Sequence, residues 1–281
     1  MKNANLVSRC GVLLWAGAIV LAGCGKAASE KAVSIPRSPV VANASTPAPI
    51  ARYTYEVVKR WPHDRGAFTQ GLVFRGGSLL ESTGLNGQSS LREVNLETGR
   101  VLKQVTLPQV YFAEGLAVVG AQIFQLTWQN RKAFVYDADT FQRQKEFAYE
   151  GEGWGLASDG QLLMMSDGTA RIRFLDAATF AVMRTLEVTR EGKPLDRLNE
   201  LEFIQGEIFA NVWQTDDVVR IDPATGIVHG VIDFSGLLAP QDRGPDTDVL
   251  NGIAYDAPSD RLFITGKRWP WVFEVRLKIA R

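Results

Sequence analysis

The sequence is short of the residues that bind metals and form cross-links. Its 281 positions include two cysteines and two histidines. Both cysteines, Cys10 and Cys24, precede the part that reads as globular, so neither a disulfide nor a Cys/His zinc cluster is expected in the fold. There is no excess of charge of either sign, with 31 Lys+Arg against 31 Asp+Glu. That removes the general electrostatic case for nucleic acid or an anionic membrane surface as partner. The apolar run Gly11–Leu21 is too short to span a bilayer comfortably. No long stretch sustains a 3.6-residue repeat, which argues against a helical fold. What is present is enough apolar residue, 46%, to bury a substantial core.

The N-terminus reads as an address. Lys2 and Arg9 flank the start of the apolar run, which ends in Leu21-Ala22-Gly23-Cys24. That ending resembles the lipobox of bacterial lipoproteins. The resemblance implies a signal peptide over 1–23, cleavage before Cys24 and a lipid on its thiol. Gly25, not Asp, follows, so an outer-membrane anchor facing the periplasm is expected, with membrane contact only through the lipid. Residues 24–52 are rich in Ala, Ser, Pro and Val and are expected to form a flexible tether. The globular domain is expected over 53–281.

From Tyr53 the texture changes to short apolar or alternating runs broken by Gly, Asp and Asn, the periodicity of strands. Phe112-Ala113-Glu114-Gly115-Leu116 recurs in altered form around Gln70-Gly71, Trp154-Gly155, Asn199-Glu200 and Asn251-Gly252. A spacing of roughly 40–50 residues marks a repeat architecture. Each repeat reads as four strands, except that the fifth has three and Tyr53–Trp61 is an orphan strand at the other end. Joining the two removes an exposed edge. The expected fold is therefore all-β, a five-bladed β-propeller of four-stranded antiparallel blades closed by the N-terminal strand. Asp137, Asp176 and Asp222 each end a third strand and are expected to hold turns by accepting backbone N–H bonds. The connections 189–197 and 235–249 are expected on the same rim as Glu114, with 241–248 as a wall of the site. A closed ring of this kind is expected to be a monomer.

Radial closure would bring the residues before each Gly-apolar step to one axis. The start of a first strand and the end of a second lie on the same rim of an antiparallel hairpin. One rim should then carry Gln70, Glu114, Trp154, Asn199 and Asn251, joined by Trp128, Trp213 and Lys267, with Phe68 and Phe112 just outside. Aromatic walls exclude water and offer a π-face to an amine. A carboxylate among them has its charged form disfavoured, which moves its pKa towards the range useful for acid/base work, while a nearby Lys267 pulls the other way. A lone Trp at a strand end is usually core and a lone Glu before a strand is usually solvated; the shared phase of the whole set is what favours a site.

Phe68-Thr69-Gln70-Gly71-Leu72, Ser82-Thr83-Gly84, Ser90-Leu91-Arg92, Phe112-Ala113-Glu114-Gly115-Leu116, Asn199-Glu200-Leu201-Glu202, Leu250-Asn251-Gly252-Ile253-Ala254-Tyr255 and Thr265-Gly266-Lys267-Arg268-Trp269-Pro270 together resemble the plant and bacterial glutaminyl-peptide cyclotransferases (glutamine cyclotransferases). The resemblance covers nearly all of residues 54–277. It implies a five-bladed β-propeller that converts N-terminal glutaminyl residues of peptides and proteins to pyroglutamyl with release of ammonia. It also implies Glu114 as the catalytic carboxylate and Phe68, Gln70, Phe112, Trp128, Trp154, Asn199, Trp213 and Lys267 as substrate-binding residues. His63 matches a family position and is expected to be structural. No cofactor and no catalytic metal are expected; a structural cation in the channel is left open. The competing reading is a non-catalytic periplasmic propeller that binds peptides or envelope proteins, since fold alone proves no activity.

Overall fold

The computed structural model describes residues 49–280. The expected signal peptide, the Cys24 lipidation site and nearly all of the expected tether lie outside them. β1 (Ala51–Pro62) begins within the last residues assigned to that tether. Three four-stranded antiparallel sheets follow in chain order. The first holds β2 (Thr69–Arg75), β3 (Ser78–Thr83), β4 (Ser90–Asn95) and β5 (Val101–Thr106). The second holds β6 (Ala113–Val119), β7 (Gln122–Thr127), β8 (Lys132–Asp137) and β9 (Arg143–Ala148). The third holds β10 (Leu156–Ser158), β11 (Leu162–Ser166), β12 (Arg171–Asp176) and β13 (Val182–Glu187). A two-stranded ribbon, β14 (Thr189–Arg190) and β15 (Lys193–Pro194), lies in the long connection 189–197.

The remaining strands form one eight-stranded sheet. Its members are β16 (Leu198–Ile204), β17 (Glu207–Val212), β18 (Asp217–Ile221), β19 (Val228–Asp233), β20 (Leu250–Asp256), β21 (Arg261–Gly266) and β22 (Trp271–Ile279), with β1 in the middle. β1 pairs antiparallel with β22, from Tyr53↔Ile279 to Pro62↔Trp271. It also pairs parallel with β19 over Ala51↔Gly230 to Tyr53↔Ile232, which the sequence did not foretell. Gly230 has no side chain to fill the space that the Tyr53 ring takes, and the Arg220 guanidinium stacks on that ring with its centre 4.8 Å away.

Burial follows position within each sheet. β3 is buried at every residue, so it reads as a continuous core strand. β9 and β13 are exposed along most of their length and carry Arg143, Lys145 and Arg184, charges that discourage pairing with another chain. Asp137 and Asp176 accept the backbone N–H of Thr140 and Thr179, and Asp222 accepts those of Ala224 and Thr225, which closes the third-to-fourth strand turns as expected.

The first strands of the sheets touch in the order β2, β6, β10, β16, β20, and β20 touches β2 again. Glycine permits this approach. A Cβ on Gly71 would stand 2.6 Å from the Leu116 nitrogen, and one on Gly115 or Gly155 would overlap the next strand's backbone. At the fourth repeat Glu200 stands in the glycine's place. Its carboxyl accepts N–H bonds from Leu72 at 3.2 Å and Ile253 at 2.9 Å, and so ties β16 to both β2 and β20. Apolar side chains fill the gaps between successive repeats: Leu91 with Phe134, Phe124 with Leu163, Met164 with Ile208, Phe209 with Ile253, and Phe263 with Leu79.

His63, expected to be structural, is buried beside this frame. Its Nε2 lies 2.9 Å from Glu81 Oε1 and its Nδ1 2.7 Å from the Trp269 carbonyl. Glu81 also accepts from Thr69 Oγ1 at 2.7 Å and Arg92 Nη2 at 3.0 Å. Burial disfavours the Glu81 carboxylate, yet Arg92 and His63 outweigh it and hold the carboxyl at about 2. Burial likewise opposes the His63 cation, and Glu81 reverses this and raises its pKa.

Glu81 titrates lower when folded, so its stabilisation is present above the unfolded carboxylate value and is lost as pH falls towards about 2. His63 titrates higher when folded, so its share is complete below its ordinary value and fades as pH rises through the raised one. Glu81→Gln leaves the buried Arg92 with only the half-exposed Asp64 carboxylate, 2.8 Å from its Nη1, and is expected to cost about 3 kcal/mol at neutral pH. Denaturant melts of both proteins from pH 7 to pH 2 check this: the gap should narrow as the acid limb is descended.

Candidate active site

The site grows from the ends of the first strands and of the hairpins they open. At each first strand a glycine, or Glu200 in the fourth repeat, is pressed on a neighbour, and the residue just before it is carried towards the cavity. Gln70, Glu114 and Asn199 arrive this way from β2, β6 and β16. Trp128, Trp213 and Lys267 follow the ends of β7, β17 and β21. The backbone N–H groups of Trp128 and Trp213 donate to the Phe112 and Arg197 carbonyls at 2.9 and 2.8 Å, which fixes the backbone of both residues at the rim.

These side chains line one cavity of about 480 Å³, with Phe68, Phe112, Trp154, Gln214, Asp248 and Val249 completing the wall. All of the residues expected at the site from the sequence line it except Asn251. That residue sits one layer behind, where its Nδ2 donates to the Thr69 carbonyl at 3.0 Å and lies 3.4 Å from Gln70 Oε1. Only the end of the connection expected as a wall reaches the cavity, through Asp248 and Val249. Its earlier part is drawn aside: Asp242 meets Arg60 and Arg65, and Asp246 meets Arg268. A larger cavity of about 600 Å³ lies beside β1 and β22, but its Arg220 and Arg261 are already paired with Glu207 and Asp256.

The aromatic rings form an arc. Phe68 meets Phe112 edge-on at 6.1 Å between centroids, Phe112 meets Trp128 at 5.7 Å, and Trp154 meets Trp213 at 5.5 Å. Two glycines make room for it. A Cβ on Gly84 would overlap the Phe112 ring, and one on Gly168 would stand 2.7 Å from the Trp154 ring. Both hold the rim position that Trp128 and Trp213 hold in other repeats.

At the base lies Glu114, 5% exposed. Gln70 Nε2 donates to its Oε1 at 3.0 Å. Burial drives the Glu114 carboxyl well above the ordinary carboxylate range; Lys267 opposes this and Glu152 reinforces it. Lys267 is equally buried, its Nζ 4.9 Å from the centre of the Phe68 ring. Burial lowers its pKa, against the pull of Glu114 and Asp248. Asn199 Oδ1 is buried and accepts no hydrogen bond among the described residues. The cavity thus offers a carboxyl whose proton affinity is raised by burial, a confined cation and the Asn199 amide, within apolar walls.

Glu152 was not foreseen. It follows the second sheet, and its only sequence mark is a carboxylate between Gly151 and Gly153, just before Trp154. Its contacts are tertiary. The same holds for Gln214, whose backbone adopts φ +65° directly after Trp213.

Comparison with known proteins agrees with this geometry. The model of the glutamine cyclotransferase family matches residues 29–277. A glutaminyl-peptide cyclotransferase of Arabidopsis thaliana is 45% identical over 231 residues, covering 80% of this chain and 72% of that protein. The crystal structure of a glutaminyl cyclase of Myxococcus xanthus superposes with a TM-score of 0.77 at 41% identity, covering 83% of this chain and 100% of that one. By its sequence over most of its length, and by the fold that carries the cavity, the chain belongs to the glutamine cyclotransferase family.

Proposed function

We propose that the chain is a glutaminyl-peptide cyclotransferase, acting on peptides and proteins with an N-terminal glutamine, and that Glu114 is its catalytic acid/base. The observation that carries this is the buried Glu114 carboxyl at the base of an aromatic cavity, with its pKa raised by burial. The substrate's uncharged α-amine attacks its own γ-carboxamide carbon. A C–N bond forms, and the carbonyl oxygen takes up negative charge. Glu114 accepts the proton from the attacking nitrogen and returns it to the leaving nitrogen. The old C–N bond then breaks, releasing ammonia and the five-membered lactam. Holding the side chain curled makes the reaction intramolecular and supplies much of the rate.

The surrounding residues divide the remaining work. Gln70 is committed to Glu114 and orients it. Lys267 is placed to stabilise the developing oxyanion, and the Asn199 side chain, which lines the cavity, to orient the substrate carboxamide. Phe68, Phe112, Trp128, Trp154 and Trp213 pack the substrate and exclude water. The scheme calls on no metal.

The same proposal covers the rest of the molecule. The cyclic contact order of the first strands, and the pairing of β1 with β22, support a five-bladed propeller closed by its N-terminal strand. We read the protein as a monomer whose catalytic domain starts with β1 at Ala51, after a signal peptide at 1–23 and a tether from residue 24. Lipid on Cys24 would hold it in the bacterial periplasm, at the outer membrane. Cys24→Ser is expected to move the protein from the membrane fraction to the soluble fraction of the envelope.

Ammonia release from Gln-initiated dipeptides tests the activity. Glu114→Gln is expected to lower kcat about 100- to 10,000-fold with the fold intact, and wild-type turnover should survive a chelator. A well-folded wild type with no turnover would leave a peptide-binding propeller as the better account.

The pH profile tests the role of Glu114. Its basic form is required, so kcat should fall as pH drops through a pKa well above the ordinary 4.5. Lys267 lowers that pKa, so Lys267→Met should shift the acid limb to higher pH as well as slow the reaction. An acid limb that stays put in the variant would remove Lys267 from the neighbourhood of the reacting carboxyl.

A further inference from the structure

The aromatic arc has one break. Phe68, Phe112 and Trp128 touch in series, and Trp154 touches Trp213, but no ring contact joins Trp128 to Trp154. The Glu152 carboxylate fills the break. Its Oε2 accepts the indole N–H of Trp128 at 2.6 Å and that of Trp154 at 2.9 Å, while Oε1 accepts from Gln129 Nε2 at 3.0 Å. An indole has one N–H, and both indoles spend theirs on a single oxygen.

The segment bearing Glu152 is itself held. Arg173 donates through Nη1 to the Glu150 carbonyl at 2.7 Å and through Nη2 to the Glu152 carbonyl at 2.9 Å. Tyr149 donates its hydroxyl to the Thr127 carbonyl, one residue before Trp128. The carboxylate is therefore aimed from a fixed backbone, as a residue that sets other side chains must be.

We propose that Glu152 is a positioning residue: it clamps the Trp128 and Trp154 indoles in the orientation that forms the substrate slot above Glu114. This rests on the glutaminyl-peptide cyclotransferase reading for its kinetic consequences, though the clamp is a property of the cavity itself. Glu152 does not line the cavity, so it acts through the rings and through its charge. The charged and titratable groups that bear on Glu114 are Lys267, Glu152 and the Tyr149 hydroxyl. Of these, Glu152 adds negative charge without being in the cavity wall.

Glu152→Ala and Glu152→Gln separate clamp from charge. A glutamine side-chain oxygen can still accept both indole N–H groups, whereas alanine can accept neither. Charge-assisted hydrogen bonds of this kind translate into roughly 10- to 100-fold. Glu152→Ala is expected to lower kcat/KM for Gln-initiated peptides by that factor, mostly through KM, with a near-normal melting temperature. Glu152→Gln should recover to within about threefold of wild type. Both variants lose the charge, so both should move the acid limb to lower pH, opposite to Lys267→Met.

Crystal structures of the two variants complete the test. The indoles should leave their places in the alanine variant and keep them in the glutamine variant. Wild-type kcat/KM in Glu152→Ala would overturn the proposal. So would equal losses in both variants with unmoved rings. If the wild type shows no turnover, the cyclotransferase reading falls, and the ring positions alone decide whether the clamp stands.

Discussion

The structure depends on how closely the first strands approach one another around the axis. Gly71, Gly115 and Gly155 each face the backbone of the neighbouring first strand at a distance that leaves no room for a Cβ. Backbone contact at that range brings N–H and C=O groups of different sheets within bonding reach, as between the Gly115 N–H and the Trp154 carbonyl at 2.6 Å. Glu200 extends the principle. Its carboxyl replaces a glycine and bridges two strands that no glycine would join. Burial raises its pKa well above the usual range and Glu202 adds to this, so the bridge is held against a desolvation cost that the two N–H bonds only partly offset.

The same crowding builds the cavity. Of the side chains placed just before such a contact, Gln70, Glu114, Trp154 and Asn199 converge on the cavity, while Asn251 stays one layer behind. Packing them leaves Glu114 out of water, and the surroundings then set its chemistry. Burial favours its neutral form, Lys267 favours the charged form, and Glu152 returns part of the bias. The contrast with Glu81 is instructive. That carboxyl is buried as deeply, but Arg92 and His63 lie in direct contact and hold it at about 2. One carboxyl is locked as an anion and stabilises the fold. The other is left poised, with a single amide on one of its oxygens.

Much of the fold was legible because strand periodicity and turn chemistry are local. Gly, Asp and Asn punctuation marked the strands, and Asp137, Asp176 and Asp222 bond as turn residues of their kind should. The common phase of Gln70, Glu114, Asn199, Trp128, Trp213 and Lys267 pointed to one rim, because residues at matching places in equivalent hairpins come to matching places in space. Asn251 shares that phase yet sits behind Gln70, since its side chain satisfies the Thr69 carbonyl. Most of the expected wall at 241–248 does not line the cavity; its Asp242 and Asp246 are bonded to Arg60, Arg65 and Arg268 instead.

By itself, then, the sequence determined the succession of strands, the repeat, and most of the side chains that line the cavity, since each of these follows from period and spacing along the chain. The tertiary structure alone decided which of them touch and in what electrical state. The parallel contact of β1 with β19, the bridging Glu200 and the grip of Glu152 on two indoles join residues far apart in sequence or turned by local geometry. No periodicity encodes such contacts. They arise from how packed sheets bring side chains to a common point, and the proton affinity of Glu114 is fixed there by burial and by the distances to its neighbours.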